Sequence, residues 1–133
     1  MSAPYDVADY IANVLGRGVL GVGVLCNTMP DKPDACISVY DYVGGPSVKG
    51  FGSDANPLEY PSVKICVRSL DPSIAESTAK DLFEIFDELV ADTTINSTVY
   101  TWFHPLQPPY MMGRDGQERV IIGFNMDLER RRT

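Results

Sequence analysis

The chain is poor in the residues that most chemistry needs. Among 133 residues it has a single histidine, a single tryptophan and three cysteines, and its acidic side chains outnumber the basic ones to give a net charge of −7. One histidine, His104, cannot supply the paired spacing of a zinc site, and no local pattern builds a nucleophile, base and acid around it. Beside aromatic residues and before a proline, it reads as a structural residue at a strand end. The acidic surplus argues against tight sequence-independent binding to nucleic acid, because phosphates are neutralised by lysine and arginine on the contact face. No apolar run approaches the ~20 residues of a membrane-spanning helix, and no basic segment leads into an apolar stretch at the N-terminus. The chain reads as soluble and intracellular, with no membrane partner. Cys26, Cys36 and Cys66 are odd in number and sit in apolar, strand-like surroundings, which predicts buried thiols in a reducing compartment rather than disulfides.

Signature motifs are missing too. The glycines between Gly18 and Gly23 lack the spacing of a dinucleotide fingerprint and no Gly-Lys-Ser ending follows them, so backbone freedom explains them better than phosphate binding. The many carboxylates fall on helix faces and turns, where solvated charge is the simpler reading than a catalytic pair. Asn96-Ser97-Thr98 matches a glycosylation acceptor but reads as a turn in the absence of a secretion signal. Arg130-Arg131-Arg132 is the one basic cluster, and it reads as a frayed, solvated end rather than a nucleic-acid arm. The residues suggest no cofactor, metal or catalytic group.

What remains is a well-specified scaffold, and its size suits one domain over residues 1–133. A first helix is expected from Pro4, with Val7, Tyr10, Ile11, Val14 and Leu15 on a buried stripe and Asp6, Asp9 and Asn13 on the other side. Gly16 and Gly18 stop it. Residues 19–26 predict a strand, the Pro-Asp run from Pro30 to Asp34 a turn, and residues 35–42 a second strand with Ile37 and Val39 on one face and Ser38, Tyr40 and Tyr42 on the other. Residues 43–61 carry four glycines and three prolines without apolar periodicity. They predict a long connection, read equally as a partner-binding loop or an extended hairpin loop.

Residues 62–70 then alternate, with Val63, Ile65 and Val67 opposed to Lys64, Cys66 and Arg68. Asp71-Pro72 opens a two-faced helix over residues 74–90, capped by the aspartate and started by the proline. A turn or very short strand at 92–97, a strand at 98–103, and an edge or loop segment after Pro105, Pro108 and Pro109 complete the middle of the chain. An Asp-Gly turn at Asp115-Gly116 leads to a last strand, in which Val120, Ile122, Phe124, Met126 and Leu128 alternate with polar and small residues. The fold expected is α+β: a mostly antiparallel sheet of four or five strands, with two main helices packed on one face. Seven tyrosines are many for such a domain, and tyrosine is enriched where proteins meet.

Two segments resemble a known family. The run Pro33-Asp34-Ala35-Cys36-Ile37-Ser38-Val39-Tyr40-Asp41-Tyr42, the glycine-rich loop, the run Glu59-Tyr60-Pro61-Ser62-Val63-Lys64-Ile65-Cys66-Val67-Arg68 and a helix after Asp71 are similar to minor capsid or tail terminator proteins of long-tailed bacteriophages. So is Pro109-Tyr110-Met111-Met112-Gly113-Arg114-Asp115 before the last strand. The resemblance implies a non-enzymatic neck protein forming a hexameric ring, which ends tail-tube growth and joins tail to head. It implies as partners other copies of the chain, the tail-tube protein and a head-closure or connector protein, with DNA passing through the lumen unbound. The expected place is the neck or tail of the virion, and the host cytoplasm during assembly. Another neck protein, a head-closure or connector subunit, would share these properties, and a small hydrolase with an unrecognised carboxylate pair is the alternative of another class. Tyr42, Val48, Lys49, Phe51, Tyr60, Arg114 and Asp115 are the candidate interface residues, chosen for their place in loops and near turns.

Overall fold

A computed structural model describes residues 2–48 and 58–131, with side chains of residues 43–48 left undescribed. Its α+β architecture comprises two helices and one mixed sheet of seven strands, larger than the four or five expected. In chain order these are α1 (Ala3–Asp9), β1 (Val24–Cys26), β2 (Cys36–Val48), β3 (Leu58–Ser69), α2 (Pro72–Asp87), β4 (Thr93–Ile95), β5 (Thr98–Pro105), β6 (Tyr110–Arg114) and β7 (Val120–Arg131). The sheet runs β1-β2-β3-β7-β5-β4, and β6 also pairs with β7. β1 lies parallel to β2 and every other pair is antiparallel, which makes the sheet mixed.

Pairing explains most departures from the expected elements. Residues 43–48 and 58–61 extend β2 and β3 as a hairpin, through two register shifts that absorb Gly44, Gly45 and Pro46. Of the long connection, only residues 49–57 fall outside the description. The first expected strand shrinks to Val24–Cys26, because residues 19–24 form a tight turn closed by the Val22, Gly23 and Val24 amides on the Val19 carbonyl. The first helix continues beyond Asp9 as one wider π-helical turn, Tyr10–Val14.

β7 is the spine of the sheet. Along one side it pairs with nearly the whole of β3, from Ser69 opposite Val120 to Leu58 opposite Arg131. Along the other, β6 pairs with its first half and β5 with its second, so β5 and β6 are two halves of one strand broken at residues 106–109. The Leu106 amide bridges the break by donating to the Asn125 carbonyl. Gly123 sits where strands approach closely: a Cβ there would lie 1.9 Å from the Ile65 carbonyl oxygen.

Both helices cover the face bearing Val63, Ile65, Val67, Phe124, Met126 and Leu128. Asp71 caps α2 by accepting from the Ser73 amide at 2.9 Å, and Pro72 begins it, as the sequence requires. α2 buries Ala75, Ala79, Leu82 and Phe86, whereas Ile74 and Val90, expected on the apolar half, are exposed near and beyond its ends. In α1, Ser2 caps and Val7 packs inward, but Asp6 is not on the solvent side. It is fully buried and accepts from the Tyr100 hydroxyl at 2.5 Å and the Asn96 side-chain amide at 2.8 Å. Donors placed deep in the core keep this carboxylate there. Arg130 completes the network by donating to the Tyr100 oxygen at 3.2 Å, and lies 3.6 Å from Glu59. Arg130 and Arg131 therefore belong to β7 rather than to a frayed end, while Arg132 lies outside the described residues.

Candidate interaction surface

The face of the sheet turned away from the helices divides into a covered and an open half. Alternation places Ser38, Tyr40, Lys64, Cys66, Arg68, Ile121 and Gly123 on this face, and next to β1 the segment 27–35 folds across it. Two buried arginines hold that segment. Arg68 donates to the carbonyls of Asp34 (3.1 Å), Pro30 (2.5 Å) and Pro33 (2.7 Å), around a cis Lys32-Pro33 peptide. Arg119 meets Asp115 at 2.6 Å, and Asp31 and Asp34 each at 3.2 Å. The Ser38 hydroxyl donates to the Thr28 carbonyl beneath.

Charge explains how the two carboxylates beside Arg119 behave. Hydrogen bonding from Lys32, then the Arg119 guanidinium, holds Asp34 below the usual carboxylate range. Burial pushes Asp115 up, but the Gln117 and Arg119 amides and the Arg119 side chain outweigh it, and its carboxyl also lies below the usual range. Beside this clamp Cys66 is buried with its sulfur 3.5 Å from that of Met112, and burial pushes its thiol up to about 11. Cys36 is buried as well, and Cys26 is half-buried. None of the three forms a disulfide.

The other half of this face is open and aromatic. Tyr42 is exposed, with the Lys64 ammonium 5.9 Å from its ring centroid. Ser62 donates to Asp127 across β3 and β7 at 2.5 Å, and Tyr60 stands opposite Glu129. On β5, Trp102 and His104 are both exposed and stack at 4.8 Å with planes 10° apart. His104 stands at the end of β5, where it was expected, with its ring exposed. Nearby, Asn125 Oδ1 is a buried acceptor with no partner among the described residues.

The candidate interface residues fall into separate groups. Tyr42 and Tyr60 share the open half. Arg114 ends β6 and is half-exposed, 4.0 Å from Glu118. Asp115 is partly buried, committed to Arg119 and to the turn before β7. The Val48 backbone ends β2, and its side chain, with all of Lys49 and Phe51, lies outside the described residues. The Trp102–His104 pair was readable from alternation along β5, which puts residues two apart on one face. No periodicity marks Arg68 or Arg119 as buried.

This scaffold of strands, capped helix and β6–β7 hairpin spans the region matched by a family model. The model of bacteriophage tail terminator proteins covers residues 12–131, and no curated protein matches. The chain belongs to the bacteriophage tail terminator family. It is thus a structural protein of the phage tail, and its place is the virion tail. Of the two kinds of neck protein weighed from sequence, the matched family is the terminator. Among the described residues no helix is long and apolar enough to cross a membrane.

Proposed function

We propose that copies of this chain close into a hexameric ring that stops growth of the tail tube and joins the tail to the head. The family match over residues 12–131 is the observation that carries this reading. A ring of identical subunits needs two dissimilar surfaces on each, and the open aromatic half-face and the clamped segment 27–35 give the chain surfaces of different chemistry. The partners are neighbouring copies, the tail-tube protein on one side of the ring, and a head-closure or connector protein on the other. The net charge of −7 suits a lumen through which DNA passes without being held, since like charge keeps phosphates from binding.

Electron microscopy of the purified protein mixed with tail tubes tests the proposal. Rings, and tubes capped at their ends, are the expected outcome. Tubes that keep elongating, with no ring under any assembly condition, would overturn it.

A further inference from the structure

Charge is distributed unevenly along this chain, and the fold gives that distribution a meaning. The longest stretch with no Asp, Glu, Lys or Arg is residues 93–113, and the next longest is residues 18–30. In the structure these two stretches form opposite margins of one sheet. Residues 18–30 contain β1 and the turn before it, at one end of the strand order. Residues 93–113 contain β4, β5 and most of β6, at the other. The charge is carried between and around them, notably by the exposed side of α2, where Glu76, Lys80, Asp81, Glu84, Asp87 and Glu88 are solvated.

Both margins also carry exposed apolar side chains: Val19 and Val22 on the first, and Trp102, Leu106, Tyr110 and Met111 on the second. The first margin borders a mostly apolar groove of about 290 Å³ that includes Gly18, Gly23, Ile37, Val67 and Ile74; its two charged residues are already engaged, Arg17 with Asp81 at 3.8 Å and Arg68 with the carbonyls of segment 27–35. Two copies of a protein with net charge −7 repel over most of their surfaces, and approach at least cost where neither presents charge. Neutral apolar margins on opposite sides of one chain match each other in this respect. Their dissimilar shapes, a groove on one side and a proline-broken projecting edge on the other, suit a head-to-tail contact rather than a two-fold one.

Building on the ring proposed above, we infer that the subunit contact joins these margins. The 18–30 margin of one copy, with its groove, receives the 93–113 margin of the next. The occupant of the groove is therefore a second copy of this chain, through the region around Leu106 and Tyr110. Ile74 and Thr78 at the start of α2 border the groove, while its acids Glu76, Glu84, Asp87 and Glu88 stay outside the contact.

Single-edge variants of the full chain test this. Val22→Asp alters one margin and Met111→Asp the other; both side chains are exposed in the monomer, so the fold should survive, as circular dichroism would check. Each variant alone should raise the protein concentration needed for half-assembly at least tenfold by light scattering, whereas Lys80→Asp, exposed on α2 and outside the groove lining, should not. Mixed together, the two variants should form one-contact heterodimers but no rings, because each still has one intact margin. Protection of residues 18–24 and 104–112 from hydrogen exchange on assembly of the unaltered protein gives a second measurement that needs no variant. If the unaltered protein forms rings and both variants assemble as it does, or neither segment gains protection, the margin contact is wrong and the ring stands. If the unaltered protein forms no rings and caps no tubes, both readings fall.

Discussion

The two faces of the central sheet are closed by opposite means. Towards the helices the cover is apolar: Phe86 of α2 lies 5.6 Å from Phe103 and 5.9 Å from Tyr10 between ring centroids, and the contacts are dry and non-directional. On the other face the segment 27–35 is held almost entirely by directional bonds from Arg68 and Arg119, on a bed of Ser38, Cys66 and Ile121. Burying an apolar face stabilises whatever shape collapses well. Burying two guanidiniums stabilises only the arrangement that satisfies their donors, so one cover supplies cohesion and the other specifies a loop. Among the described residues nothing covers the aromatic half next to that loop.

Substitutions can break this contrast, beginning where both faces depend on one backbone contact. Gly123→Val should prevent folding or cost more than about 4 kcal/mol, since the Ile65 carbonyl belongs to rigid β3 and cannot retreat by rotating a side chain. Loss of the cooperative denaturation curve would show it. On the helix-covered face Phe86→Ala should cost about 4 kcal/mol in denaturant unfolding. Trp102→Ala, on the open half where the ring is already 44% exposed, should cost under about 1 kcal/mol in the monomer.

Arg68→Met leaves the carbonyls of Pro30, Pro33 and Asp34 without their donor and should cost about 3 kcal/mol, with proteolysis at 28–34 rising first. Acid should loosen the same cover. Asp34 and Asp115 ionise more readily folded than unfolded, so the stability they add is complete above the unfolded value near ~3.9 and is lost as pH falls through their lower folded values. Protection factors for hydrogen exchange at 27–35 and 115–119, taken relative to the intrinsic rate at each pH, should therefore be unchanged from pH 8 to 5 and fall below about pH 4, ahead of the helices. The smallest effect is on thiol reactivity. At pH 8 Cys26 should react with a maleimide before Cys36 and Cys66, because burial keeps Cys66 protonated until about pH 11 and shields Cys36 from reagent.

How much of this was legible in the sequence follows from the same contrast. The α+β class, the alternation of β3 and β7, the Asp71 cap and the helix on the sheet depend on local periodicity and capping, and all were readable. The sheet's true size was not. The glycines and proline at 44–46 weigh against a strand, yet pairing with β3 draws residues 43–48 into one, since a neighbouring edge offers hydrogen bonds that propensity does not count. Parallel pairing of β1 with β2 had no local mark either. Among surface features, the place of Tyr42 on the face away from the helices was readable from the alternation of β2. The burial of Arg68 and Arg119 was not, because a charged residue on the polar side of an alternating strand or in the turn before one reads as solvated until a distant loop is known to lie over it.

Tyr100 has a consequence for the order in which the protein is completed. Its hydroxyl joins Asp6 from the start of the chain to Arg130 from its last strand. The early helix therefore gains the full set of partners for its buried carboxylate only once β7 is in place, because β7 is also the strand on which β5 and β6 are laid. Without β7, β5 and β6 lose the strand they share, and Tyr100 loses Arg130.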